Sequence, residues 1–91
     1  MIRSYRDKET EKIVNREPSL KFKAIQPVAE RKLNLLNAAT ELKDLSLPSL
    51  RLKKLEGDRK GQYSIRINDQ FRICFTWRGT DAFDVEIVDY H

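Results

Sequence analysis

From Leu50 onward, apolar and polar residues alternate with a period of two, the pattern of strands with one face buried. Leu50 and Leu52 alternate with Arg51 and Lys53. Tyr63, Ile65 and Ile67 alternate with Ser64, Arg66 and Asn68, and Phe71, Ile73, Phe75 and Trp77 alternate with Arg72, Cys74, Thr76 and Arg78. A tight turn near Asn68-Asp69 makes a hairpin of the last two runs. Phe83, Val85 and Ile87 mark a final strand beyond a turn at Arg78-Gly79-Thr80-Asp81. The first half follows a helical period instead. Val28, Ala29, Leu33, Leu35, Leu36, Ala39 and Leu42 form a broad apolar face on a helix entered through Pro27. A shorter helix before it has Asp7, Glu9 and Glu11 where a first turn favours acids, with Ile13 and Val14 as its apolar stripe. A short strand at Ile2 to Tyr5 opens the chain, and Pro48 ends any helix that reaches it. The expected fold is α+β: two N-terminal helices packed on one face of a small, mainly antiparallel, twisted sheet.

The 91 residues fit one domain spanning 1–91, with room for one core and a shallow site. There is no internal repeat, low-complexity tract or Gly/Ser linker. Cys74 is the only cysteine and His91 the only histidine, which argues against an intramolecular disulfide, a zinc centre and Cys-His catalysis. Three glycines leave no phosphate-binding loop or dinucleotide fingerprint. No metal and no cofactor are therefore expected. The opening residues lack an apolar signal core, and no run approaches a membrane span, so a cytoplasmic protein without a membrane partner is expected.

Charge changes the picture more than composition does. The chain carries a net charge of +4. Arg51, Lys53, Lys54, Arg59, Lys60 and Arg66, against Glu56 and Asp58, account for that whole excess, whereas the segment after Gly79 is acidic. If the apolar strand positions turn towards the helices, Arg51, Lys53, Arg66, Arg72, Cys74, Arg78, Val88 and Tyr90 share the opposite face, with Asp84 and Glu86 as its acids. Solvent-facing strand positions are commonly Lys and Arg without further purpose. Here the sign is what stands out: five cations on one face suit a phosphodiester backbone. The ending Asp89-Tyr90-His91 reads either as a frayed tail or as proton donors and acceptors beside a reacting phosphate.

The run Leu52 to Phe75, with Leu55-Glu56-Gly57-Asp58-Arg59-Lys60-Gly61, Tyr63-Ser64-Ile65-Arg66-Ile67-Asn68 and Gln70-Phe71-Arg72-Ile73-Cys74-Phe75, resembles the HigB toxins of the RelE superfamily. So do the Met1-Ile2-Arg3-Ser4 opening, Ala38-Ala39-Thr40 and Val88-Asp89-Tyr90-His91. The resemblance implies a microbial-RNase-like fold and cleavage of messenger RNA in the A site of the 70S ribosome. It also implies neutralisation by a HigA-like helix-turn-helix antitoxin, through which alone the toxin would meet operator DNA. Arg72 matches the arginine of the family's strand motif, and Asp89, Tyr90 and His91 match its terminal triplet. Lys53 stands where several members have a catalytic histidine, and Glu56 where some have a lysine; a lysine is a poor base near neutral pH unless its pKa is lowered. A subgroup resembling the GraT toxins also lacks that histidine, and Ser64-Ile65-Arg66 and Asn68-Asp69-Gln70 look closest to it.

The mechanism that follows is attack of a ribose 2′-OH on the adjacent phosphate, without a metal. Arg66 and Arg72 stabilise phosphoryl charge, and Lys53 assists as a cation or proton donor. Tyr90 and His91 orient the nucleotide or move protons, and Asp89 holds one of these groups in place. Arg51, Lys54, Arg59, Lys60 and Arg78 contact the RNA backbone. Two other readings use the same residues: a non-catalytic RNA-binding or ribosome-binding module, and a protein-interaction subunit inert towards RNA.

Overall fold

The computed structural model describes residues 1–89. Helix α1, Lys8–Val14, starts where Asp7 caps it: the Asp7 carboxylate accepts from the Thr10 N–H at 2.7 Å, and Glu9 and Glu11 sit at the positive end of the helix dipole. Helix α2, Gln26–Ala38, has proline in its first turn and buries Ala29, Leu33 and Leu36. It is shorter than its apolar pattern suggests. Asp44 accepts from the Thr40 and Glu41 N–H groups at 3.0 and 3.1 Å and organises a separate 3-10 turn, Leu42–Leu45. Leu42 thus lies beyond the helix, and Leu35 stays 41% exposed on its outer side.

Strands β1 (Lys53–Lys54), β2 (Gln62–Arg66), β3 (Phe71–Arg78) and β4 (Asp81–Asp89) form one antiparallel sheet in that order. Ile2 and Tyr5 make isolated parallel bridges to Ala82 and Val85, so the opening segment lies along the outer edge of β4. Both helices pack against β4, and Ile13, Leu33 and Leu36 join Ile65, Ile73, Phe75, Val85 and Ile87 in the core. One buried polar contact ties the layers together: the Ile87 N–H donates to Thr10 Oγ1 at 3.1 Å. These contacts give the expected α+β arrangement. No helix among the described residues is long and apolar enough to cross a membrane.

Two departures matter for the site. The strand expected at Leu50 to Lys53 is mostly a turn. Pro48–Leu50 is a 3-10 turn that drops Leu50 into the core, and Arg51 follows in the left-handed region with φ 44°. Only Lys53 and Lys54 pair with β2. The second departure is a bulge in β4. Asp84 has φ 53°, its N–H donates to Ser4 Oγ at 2.8 Å, and the register with β3 shifts between Cys74 and Thr76. Before the bulge the alternation is reversed: Ala82 is buried in the core, and Phe83 moves to the other face.

Local hydrogen bonds predict an acid response. Glu9 is held below the usual carboxylate range first by the Ser19 hydroxyl and then by Lys12, and Asp44 by the backbone N–H groups of Thr40 and Glu41. A carboxylate whose pKa is lowered on folding stabilises the protein above its unfolded pKa, and that contribution is lost as pH falls through the folded value. Urea midpoints should therefore be level above about pH 5 and decline below about pH 4. Asp44→Asn should lower the neutral midpoint and flatten the decline. Equal wild-type midpoints at pH 7 and pH 3 would contradict this.

Candidate functional site

The β2–β3 register fixes which residues share the open face. Arg66 lies opposite Arg72, Ser64 opposite Cys74, and Gln62 opposite Thr76, while Lys53 pairs with Ser64 from the other side. Like charges placed directly opposite in a sheet are destabilising, so the Arg66–Arg72 pair needs compensation. The surroundings supply it. Arg66 pairs with Asp69 of the hairpin turn. That turn is built by Asn68, whose side-chain oxygen accepts from the Gln70 and Phe71 N–H groups at 2.9 and 2.8 Å.

Arg72 is held more firmly. Its Nε donates to Ser64 Oγ at 2.7 Å, and one Nη donates to the Arg51 carbonyl at 2.6 Å and to the Ser64 carbonyl at 3.3 Å. The left-handed turn at Arg51 brings that carbonyl within reach. The guanidinium is thus oriented before any ligand arrives, in a cleft of about 380 Å³ lined by Arg51, Lys53, Arg66, Asn68, Asp69 and Arg72. Among the described residues, four cations against one carboxylate line this cleft, a charge balance that suits an anionic ligand.

The other expected residues are spread more widely. Lys54 aligns with Tyr63 and Phe75 and falls on the opposite pleat from Arg72. Arg78 shares the open face but lies at the far end of β3, over the Phe83 ring at 4.3 Å. Arg59 and Lys60 line a neighbouring cleft of about 580 Å³. Asp89 pairs with Phe71 on the helix-facing pleat and accepts from Gln70 Nε2 at 3.0 Å, so it is not on the Arg72 face. Tyr90 and His91 lie outside the described residues. Of the two expected acids, Glu86 stands on the open face opposite Cys74, while Asp84 occupies the bulge.

The sequence pattern overlooked Ser64, Asn68 and Asp69. Ser64 carried one signal, a small hydroxyl residue in a strand register facing long cations. Cys74 beside it is fully buried, and burial pushes its thiol up. It should react with a disulfide reagent such as DTNB at least about a thousandfold more slowly in native buffer than in urea, because only opened molecules expose it. Comparable rates would show that the face is open to solvent at Cys74. Among the described residues no group of three or more His, Cys, Asp or Glu side chains is placed to hold a metal ion.

A family model described as the RelE-like toxin of the type II toxin-antitoxin system HigB matches residues 2–91. Over 60 residues the chain is 35% identical to a Proteus vulgaris protein named endoribonuclease HigB, covering 66% of this chain and 65% of that one. Over 55 residues it is 44% identical to toxin HigB-1 of Vibrio cholerae serotype O1, covering 59% of this chain and 58% of that one. Both matches span less than two thirds of the relative's length. The fold is similar to a chain of the YoeB-YefM complex from Staphylococcus aureus, with a TM-score of 0.56 and 16% identity over 100% of this chain and 98% of that chain.

Proposed function

Because the chain belongs to the HigB-like family of RelE-like toxins of type II toxin-antitoxin systems, we propose that it is an endoribonuclease that cuts messenger RNA in the ribosomal A site until an antitoxin neutralises it. The observation that carries this reading is the Arg72 guanidinium, oriented by Ser64 and the Arg51 carbonyl beside Arg66 and Lys53. The ribose 2′-OH attacks the adjacent phosphorus, and the bond from phosphorus to the 5′ oxygen breaks. The products are a 2′,3′-cyclic phosphate and a 5′-hydroxyl. Arg72 and Arg66 stabilise the charge that builds on the non-bridging oxygens, and Lys53 supplies a further cation or the proton for the leaving oxygen. Tyr90 with His91 takes up the proton that the 2′-OH releases, and no metal takes part. Because Asp89 lies on the other pleat, its role is to hold the end of β4 through Gln70.

The partners follow from the same reading. Ribosomal RNA is the second polyanion, met in the cytoplasm, and the antitoxin is a HigA-like protein whose helix-turn-helix domain carries the complex to operator DNA. Primer extension on programmed ribosomes tests the activity. Discrete cuts in the A-site codon, absent when the same RNA is free, are expected. Ribosome binding without any cut would replace the nuclease with a non-catalytic binding module.

A further inference from the structure

The open face carries a second cationic cleft. Arg59, at the end of the 3-10 turn Gly57–Arg59, projects over the sheet, and its Nη1 donates at 3.1 Å both to Gln62 Oε1 and to Glu86 Oε1. Arg6 and Lys60 flank it, Gln62 and Thr76 line the cleft, and Asp58 joins Glu86 as a second carboxylate, so three cations face two acids. Both side-chain hydrogen bonds of Arg59 use Nη1, so its Nε–Nη2 edge has no partner among the described residues. That edge is the fork which binds a phosphate bidentately. The Arg59–Glu86 pair is partly exposed, at 33% and 21%, and such pairs add little to stability.

This cleft lies on the same face of the sheet as the Arg72 site. Arg66 and Arg72 form one cross-strand row, Ser64, Cys74 and Glu86 the next, and Gln62 and Thr76 the third. Rows on one face are two residues apart, about 6.5–7 Å, so the Gln62 row stands about 13 Å along the sheet from Arg72. A few nucleotides of extended single strand span that separation. Arg59 and Arg72 both act electrostatically on Cys74, in keeping with cationic heads on either side of the middle row.

We propose that the Arg59 cleft is a second phosphate subsite for the same single-stranded RNA, with Glu86 as the resident counter-ion that an RNA phosphate displaces from Arg59. This rests on the RNA reading above. It assigns Glu86 a restraining role: the carboxylate lowers affinity for the flanking nucleotides and so limits binding of RNA away from the ribosome.

Fluorescence anisotropy with 2′-O-methyl oligoribonucleotides, whose attacking oxygen is blocked, tests the subsite apart from cleavage. The hexanucleotide should bind at least about tenfold more tightly than the dinucleotide, since only the longer strand reaches both clefts. Arg59→Gln should weaken hexanucleotide binding about tenfold and leave the dinucleotide within about twofold, and Glu86→Gln should tighten the hexanucleotide about threefold. Lys60→Gln, on an exposed side chain, should give a smaller loss of the same length dependence and serves if Arg59→Gln fails to fold. Equal losses at both lengths, or weaker binding by Glu86→Gln, would overturn the subsite. If the length dependence appears while ribosomal cleavage does not, the subsite stands and the nuclease reading falls. Cleavage with no length dependence removes the subsite and leaves the nuclease standing.

Discussion

Arg72→Ala is expected to lower single-turnover cleavage on programmed ribosomes by about 10²–10³-fold, the usual loss when a pre-oriented donor to transition-state charge is removed. The expectation rests on how the side chain is held. Three hydrogen bonds to Ser64 and Arg51 fix the guanidinium plane, so its positive charge is already in place as negative charge develops. Arg72→Lys keeps the charge but cannot serve the hydroxyl and the Arg51 carbonyl together, and should recover only a small part of the rate. Ser64→Ala should act through Arg72. It leaves a donor without its acceptor beneath the cleft and should reduce the cleavage rate more than ribosome binding. Cleavage by Arg72→Ala within a fewfold of wild type would remove Arg72 from the chemistry.

Phe75→Ala is expected to destabilise the fold by about 3–5 kcal/mol, a large share of the ~5–15 kcal/mol that holds a domain of this size together. Phe75 is fully buried in the middle of β3, stacks on Tyr63 with centroids 6.2 Å apart and meets the Trp77 ring edge to face at 6.4 Å. Removing it opens a cavity between sheet and helices that neither layer can fill. The melting temperature should fall by about 15 °C or more. Phe71→Ala, at a half-buried position where the ring meets Phe22, should have a clearly smaller effect. A loss below about 1 kcal/mol for Phe75→Ala in urea titrations would mean that the core lies elsewhere.

The parts of the fold that could be read from the residues are those where pattern and geometry have the same period. Tyr63 to Ile67 and Phe71 to Arg78 alternate regularly on either side of the turn, and the hairpin and its register follow from that together with the Asx chemistry of Asn68. The alternation also placed Arg66 and Arg72 on one face. It misled where the backbone leaves its regular path. Leu50 and Leu52 alternate like strand residues, yet Pro48 starts a tight turn and Leu50 enters the core from it. In β4 the alternation of Phe83, Val85 and Ile87 is intact in the sequence, but the left-handed Asp84 reverses it at Phe83; no glycine marks the place, and the anchoring Ser4 is 80 residues away. The supports of Arg72 were hidden for a similar reason. A carbonyl from a left-handed turn and a hydroxyl buried under an arginine are visible only once the strands are paired.

The bridges from Ile2 and Tyr5 to β4 also bear on the order in which the chain folds. The arginine-bearing β2–β3 hairpin is local in sequence. The core it packs into is not, because Ala82, Val85 and Ile87 close it against segments made at the start of the chain. Contacts between such distant segments form late and slowly. The cations of β2 and β3 therefore gain the folded support that orients them only once β4 has joined the opening segment. A circular permutant that brings the Ile2–Tyr5 segment next to β4 in sequence should therefore refold faster than the natural chain order.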